Sequence, residues 1–285
     1  MIDSSFLDGM SKFSLIIRKR VTSNYSGPRK STAFGRGMVF KDHRIYSPGD
    51  DFRAIDWKVY ARTDELMMKN YEEERSLTVH VLVDKSRSMG FARKFDYASM
   101  LGVGYAYLGM KSNDKVQFAT FSENIDAYQP KRGMSQVMAM IDYLNSIKPS
   151  GKTDMRSLGR KYRHSIGSRS LIVVISDFFS SIDDIKETIM HLGHADASFI
   201  QVVSRNEKEP FFEGNFKFQD SESGETMRTY FSLRDKEEYV KKMRQHTEEI
   251  EHECSIKGIN FAQVDTSMPI FDSFYAVLGS KQLKI

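Results

Sequence analysis

Val79-His80-Val81-Leu82-Val83-Asp84-Lys85-Ser86-Arg87-Ser88 is a short β-branched run that ends on an aspartate and passes straight into Asp-x-Ser-x-Ser. A run this short and apolar, closed by polar turn residues, reads as a buried strand. The next segments settle the class. Lys94 to Met110 places Phe95, Ala98, Leu101, Tyr105 and Leu108 on one helical face. Its glycines, Gly102, Gly104 and Gly109, lower helix propensity but allow close approach to a sheet. Val116 to Phe121 is a second strand, and Asn124 to Tyr128 an edge strand in a hairpin with it.

The alternation continues to the end of the chain. Helices are predicted over Ser135 to Ile147, Met155 to Ile166, Ile182 to Leu192, Arg234 to Ile256 and Ile270 to Leu278. Strands are predicted over Leu171 to Ser176, Ala197 to Val203 and Ile259 to Val264. Glu209 to Tyr230 departs from the pattern, with alternating aromatics and turn residues that predict a β-hairpin or small sheet. Strands separated by helices imply right-handed βαβ units and a mostly parallel sheet with helices on both faces. Residues 1–75 read differently: an amphipathic helix from Ser5 to Arg20, a basic loop from Tyr25 to Arg36, then an extended region. The expected organisation is a segment over 1–75 packing on a main α/β domain over 76–285, with a β insertion at about 209–232.

In such sheets ligands bind beyond the carboxyl ends of the strands, where strand order reverses. Asp84, Asp177 and Asp265 fall at strand ends. Asp84, Ser86, Ser88, Thr153 and Asp177 come from three distant segments that this topology brings to one edge. Their oxygens suit a hard cation: Mg²⁺ takes six oxygen ligands and keeps several waters. Mn²⁺ and Ca²⁺ are the other candidates. Each residue also has a plainer reading. Asp84 can cap the following helix, and Thr153-Asp154 can cap the one beginning near Met155; Thr153 is assigned as the ligand and Asp154 as the cap. Asp265 is read as a turn residue. Gly151-Lys152-Thr153 imitates the end of a phosphate loop but lacks both the earlier glycine and a preceding strand.

With these residues in place the chain resembles a known family. Asp84-x-Ser86-x-Ser88 with Thr153 and Asp177 is similar to the metal-ion-dependent adhesion site (MIDAS) of von Willebrand A domains. Tyr46-Ser47-Pro48-Gly49-Asp50-Asp51-Phe52-Arg53-Ala54-Ile55-Asp56-Trp57, then Ala61-Arg62-Thr63 and Glu73-Glu74, resembles the DUF58 signature. Asp220 to Glu225 and Gly258-Ile259 leading to Asp265-Thr266 fit it too. The resemblance implies a Rossmann-like von Willebrand A domain. It also implies a protein-interaction role beside a MoxR-type AAA+ ATPase in assembling or activating other proteins, with a partner's carboxylate meeting the metal. Lys85 and Arg87 stand at the variable positions of the motif, where two cations either weaken ion binding, hold an acidic partner or point to solvent. Arg53, Asp56 and Trp57 are a candidate partner surface; the alternative is that Trp57 packs on the main domain with the ions paired around it.

Composition excludes several classes. At 40% hydrophobic and 28% charged, the chain is that of an ordinary globular protein. A net charge of +4, from 42 Lys+Arg against 38 Asp+Glu, is too small to imply nucleic-acid binding. The basic stretch containing Arg18, Lys19, Arg20, Arg29, Lys30 and Arg36 reads as a solvated surface or a surface for an acidic partner. One cysteine, Cys254, allows no internal disulfide and reads as a buried thiol. With neither a secretory leader nor a run of roughly 20 apolar residues, the expected location is cytoplasmic, without membrane insertion.

No Ser–His–acid set or nucleophile elbow is present, so the expectation is a non-catalytic module. The alternative is a metal-dependent phosphohydrolase with Asp84 as nucleophile. Against it, the second carboxylate such an enzyme would carry two residues on is replaced by Ser86. A screen of phosphoester and peptide substrates with added Mg²⁺ separates the two. We expect no turnover; turnover lost on changing Asp84 selects the hydrolase.

Overall fold

The computed structural model describes residues 2–24, 38–73, 77–167, 169–210, 214–219 and 226–279. The basic loop from Tyr25 to Arg36, Glu74, and Asp220 to Glu225 lie outside the described residues. The chain forms two compact units, one of Met1–Ile17 with Leu77–Ile285 and one of Arg18–Ser76. The division therefore differs from 1–75 against 76–285: the first helix, α1 (Ser4–Asn24), begins in the larger unit.

In the smaller unit, β1 (Met38–Ile45) and β2 (Met67–Glu73) pair antiparallel, with a register shift between Phe40 and Asp42. α2 (Trp57–Thr63) lies between them in sequence. The signature residues here do local structural work. Asp50 N donates to Ser47 O at 3.0 Å, and Gly49 has φ +106°. Pro at the second position and a positive-φ glycine at the third are what a type II turn requires. Arg44 grips both oxygens of Asp50 at 2.7 Å, and this pairing holds the Asp50 carboxyl down at about 2. Asp51 caps a 3-10 turn at Phe52–Ala54 and Asp56 caps α2.

The larger unit has a six-stranded sheet. Its strands are β3 (Thr78–Asp84), β4 (Lys115–Phe121), β5 (Ile125–Ala127), β6 (Ser170–Ser176), β7 (Asp196–Val203) and β10 (Asn260–Asp265). β8 (Gly214–Gln219) and β9 (Thr226–Phe231) form a separate antiparallel hairpin in the region expected for the insertion. The order is β10-β7-β6-β3-β4-β5, parallel except for the antiparallel edge strand β5. The expected mostly parallel sheet with helices on both faces is what the chain forms. β3 sits mid-sheet: the chain runs outward through β4 and β5, then returns to β6 on the other side. The point of reversal lies between β3 and β6.

The period of two along each strand builds two cores. Val79, Val81 and Val83 enter a cluster with Leu101 of α3 (Lys94–Lys111), Val137 of α4 (Met134–Ser146) and Phe274 of α9 (Ile270–Gly279). Phe6, Met10 and Phe13 of α1 join it, Phe13 packing edge-on to Tyr275 at 4.8 Å between ring centroids. Leu82, Ile172 and Val174 enter a second cluster with Leu158 of α5 (Met155–Tyr162), Ile189 of α6 (Ile182–Leu192) and Ile250 of α8 (Leu233–Ile256). Cys254 is buried there, in line with its sequence setting. Each fully buried aliphatic side chain contributes about 1.5–3 kcal/mol. Among the described residues no helix is long and apolar enough to cross a membrane.

The glycines of α3 divide their work. A Cβ on Gly102 would meet Val83 at 2.9 Å and one on Gly109 would meet Val79 at 3.0 Å, so both permit close approach to the sheet. Gly104 departs from that expectation. Its Cβ would fall 2.0 Å from the Phe274 ring, so it receives α9 instead. Gly104→Ala is expected to lower stability by about 1–3 kcal/mol through overpacking, measured by urea unfolding. The loss should shrink in a Phe274→Ala background, and equal losses in both backgrounds would contradict this packing.

Candidate metal centre

Three loops meet beyond the carboxyl ends of β3, β4 and β6. The segment after β3 is tied to the loop before α5: Ser150 N donates to Lys85 O at 2.7 Å and Arg87 N to Gly151 O at 3.0 Å. Lys85 N donates to Phe121 O and Asp154 N to Ser122 O, fixing both loops to the end of β4. Gly151, at φ +82°, allows the turn; a Cβ there would press on Ser122 Oγ at 3.2 Å. Asp154 caps α5 through Ser157 N at 2.8 Å, while Thr153 Oγ1 lies 3.4 Å from Asp84 Oδ2.

Asp84 and Ser86 are 0% exposed, Asp177 1% and Ser88 9%. Asp84 Oδ1 accepts from Ser86 N at 2.8 Å. Its Oδ2 accepts from Ser176 Oγ at 2.6 Å and Thr153 Oγ1 at 3.4 Å. Ser86 Oγ and Ser88 Oγ lie 3.1 Å apart. Burial, then repulsion by the Asp177 carboxylate, pushes the Asp84 carboxyl up to about 7. The five oxygen-bearing side chains singled out in the sequence are thus placed around one edge of the sheet. Asp265 is not among them; it caps its own turn through Ser267 N.

Asp177 is held from several directions. Gln201 Nε2 donates to its carbonyl at 3.0 Å and Phe179 N to its Oδ1 at 3.2 Å. The next residue, Phe178, has φ +54°, a left-handed conformation that is unfavourable for a bulky side chain. It is retained because Phe178 N donates to Ser176 Oγ, His246 bonds its carbonyl at 2.8 Å, and its ring stacks on Phe199. Backbone strain held in place by surrounding contacts often marks a functional site.

Three participants escape a reading of the sequence. Ser176 closes an otherwise apolar strand, yet it bonds Asp84. Lys94 reads as an ordinary helix start. Its ammonium is 0% exposed, 2.8 Å from Asp177 Oδ2 and 2.7 Å from Glu207 Oε1. Glu207 in turn closes a capping box with Ser204 on α7 (Arg205–Lys208). Ser204-x-x-Glu207 is visible as a capping signal; nothing local marks Lys94. The ammonium also lies 4.8 Å from the centroid of the Phe179 ring.

These residues fit a divalent cation on two counts. Asp84, Asp177 and Glu207 set three carboxyl groups against the one ammonium of Lys94, an excess of negative charge that falls from two toward one as Asp84, raised to about 7, takes up a proton. The 3.1 Å between Ser86 Oγ and Ser88 Oγ matches the spacing of neighbouring oxygens on an octahedral ion, about 3.0 Å for bonds near 2.1 Å. Among the described residues no group of three or more His, Cys, Asp or Glu is placed to hold a metal. Such a site therefore has to draw on hydroxyls.

The other candidates divide. Lys85 pairs with Asp126, so its charge is partly committed; Arg87 is exposed. In the smaller unit, Asp56 is 8% exposed and bonded to His43 at 3.0 Å, while Trp57 is 57% exposed and Arg53 is exposed.

The family model described as protein of unknown function DUF58 matches residues 42–249. An uncharacterized protein of Mycobacterium tuberculosis is 24% identical over 218 residues, 74% of this chain and 69% of that one. Uncharacterized protein YeaD of Bacillus subtilis is 38% identical over 79 residues, 25% of this chain and 20% of its own. Among solved structures, BatB from Bacteroides thetaiotaomicron has 15% identity and a TM-score of 0.40, covering 72% of this chain and 98% of its own. Proximal thread matrix protein 1 of the mussel byssus, with a zinc-occupied MIDAS motif, has 11% identity and a TM-score of 0.31, covering 45% and 38%.

An acid whose folded pKa is raised costs stability once it ionises. For Asp84 the cost is absent below about pH 4 and grows until about pH 7, by at most roughly 1.4 kcal/mol per pH unit. In EDTA, Asp84→Asn is therefore expected to be more stable than wild type at pH 8 and no more stable at pH 4. Thermal unfolding at the two pH values checks it, and a variant less stable at pH 8 would contradict the burial argument.

Proposed function

Because the chain belongs to the DUF58 family, whose model takes in the turn-and-cap signature as well as the candidate centre, we propose that it is a metal-dependent protein-interaction module. In this reading Ser86, Ser88 and Thr153 offer hydroxyls to a divalent cation, Mg²⁺ or else Mn²⁺ or Ca²⁺, and Asp84 and Asp177 balance its charge. A bound cation would supply a Lewis-acidic position that a carboxylate oxygen of a protein partner can fill. The observation that carries this is the convergence of hydroxyls and two buried carboxyl groups from three loops, with more negative than positive charge among them.

The chain's own residues set the terms. Neutral hydroxyls withdraw little of an ion's charge, so an open position stays attractive to an anion. Asp84 accepts hydrogen bonds from Ser86 N, Ser176 Oγ and Thr153 Oγ1 and is closed to solvent. That burial favours a supporting role over a nucleophilic one, so the reading contains no chemical step. Arg87, exposed beside the motif, can receive the flanking acidic residues of a partner. The MoxR-type AAA+ ATPase implied by the family resemblance, or a client of it, is the partner we propose. Arg53 and Trp57 are proposed as a second contact on the smaller unit.

Two measurements test the reading. Calorimetry should show Mg²⁺ or Mn²⁺ binding, weakened by Thr153→Ala or Ser86→Ala by about tenfold or more, a change of roughly 1.4 kcal/mol. Capture of the ATPase should require the metal and vanish in EDTA. Full-strength capture in EDTA by these variants would remove the metal face from the interface.

A further inference from the structure

Lys94 is unusual for a lysine. Such side chains are almost never fully buried unless paired, and this one is paired twice, on the wall of the candidate centre. The turn ahead of it is shaped to put it there. Ala92 (φ +47°) and Arg93 (φ +59°) are both left-handed, and the chain reverses through them so that Lys94 becomes the first residue of α3. Its ammonium then meets Asp177 Oδ2 at 2.8 Å and Glu207 Oε1 at 2.7 Å. Asp177 Oδ1 already accepts from Phe179 N. Both oxygens of that carboxylate are thus engaged by donors of the chain itself.

We propose that Lys94 is a built-in cation that holds Asp177 out of direct coordination, leaving the metal on hydroxyls and waters. This rests on the metal-dependent function proposed for the site and deepens it. A carboxylate that turned inward would bind the ion tightly and quench its pull on an outside anion. With the ammonium in place, Asp177 contributes charge through space while its oxygens stay occupied. The ion is held weakly and its attraction is kept for the partner. Glu207 has a second part in this. One of its oxygens takes Lys94, and the other accepts from Ser204 N and Oγ at 2.9 Å. The strength of the Lys94–Asp177 contact is therefore tied to the first turn of α7, the helix that precedes the β8–β9 hairpin.

The test is a charge-balanced substitution. Lys94→Met alone strands the buried Asp177 carboxylate and the half-buried Glu207 carboxylate and is expected to fold poorly. Lys94→Met combined with Glu207→Gln removes one charge of each sign, and glutamine can still close the capping box. In this double variant Asp177 is free to ligate, so Mn²⁺ affinity, read from free Mn²⁺ by electron paramagnetic resonance, should rise about tenfold or more. Oxygen-17 water broadening should show one fewer water on the ion. A structural defect would move affinity the other way. Affinity that is unchanged or weaker in the double variant overturns the proposal. So does a crystal structure of the Mn²⁺-loaded wild type with an Asp177 oxygen directly on the ion. Wild type that binds no Mn²⁺ would sink the metal-dependent function as well. Wild type that binds Mn²⁺ and loses it with Thr153→Ala, beside a double variant no tighter, would sink only the role of Lys94.

Discussion

Two aspartates, Asp84 and Asp177, are buried at the carboxyl ends of adjacent parallel strands, with Asp177 close enough to disfavour the charge of Asp84. Burying a carboxylate is costly unless it is paired or hydrogen-bonded. The two are handled differently. Asp177 receives an ammonium, while Asp84 receives hydroxyl and backbone donors and its carboxyl is pushed up instead. The asymmetry leaves a hydroxyl-rimmed edge at which one carboxyl group is ion-paired and the other is held by hydrogen bonds.

The sheet makes that arrangement possible. Alternate residues of β3 and β6 feed two separate cores, so the strands that deliver Asp84 and Asp177 are packed on both faces. Parallel pairing in register fixes the heights of their ends: Val83 pairs with Ile175, and the two loops leave the sheet together. The site is held rigidly because its supports are strands and helix starts, whereas only the loop carrying Thr153 comes from outside the sheet ends. Strain at Phe178, Ala92 and Arg93 is confined to these loops, where dense hydrogen bonding and packing can hold it.

The smaller unit obeys a different logic. Its signature residues form a type II turn, an Arg44–Asp50 fork and two caps, so most of the motif serves its own local fold. Among the large apolar side chains it leaves outward are Ile45, Phe52 and Trp57. A motif can thus identify a family through residues that shape a surface without themselves being that surface.

The amino-acid order by itself was enough for the alternation of strands and helices, the parallel sheet, the hairpin near 214–231, and for picking out five oxygen-bearing residues that the fold brings to one edge of the sheet. Each of these is announced locally, by a period of two or 3.6, by Gly and Pro punctuation, or by Asp-x-Ser-x-Ser. Only the tertiary structure could disclose Lys94, Glu207 and Ser176. They lie 83, 113 and 92 residues from the partners they bind in or beside the site, and no local pattern distinguishes a lysine that folds inward from one that faces water. The same holds for Gly104, whose missing side chain makes room for a ring from α9 and not for the sheet. Periodicity tells which way a residue faces; what it meets there is set by segments far along the chain, and with that the charge and shape of the site.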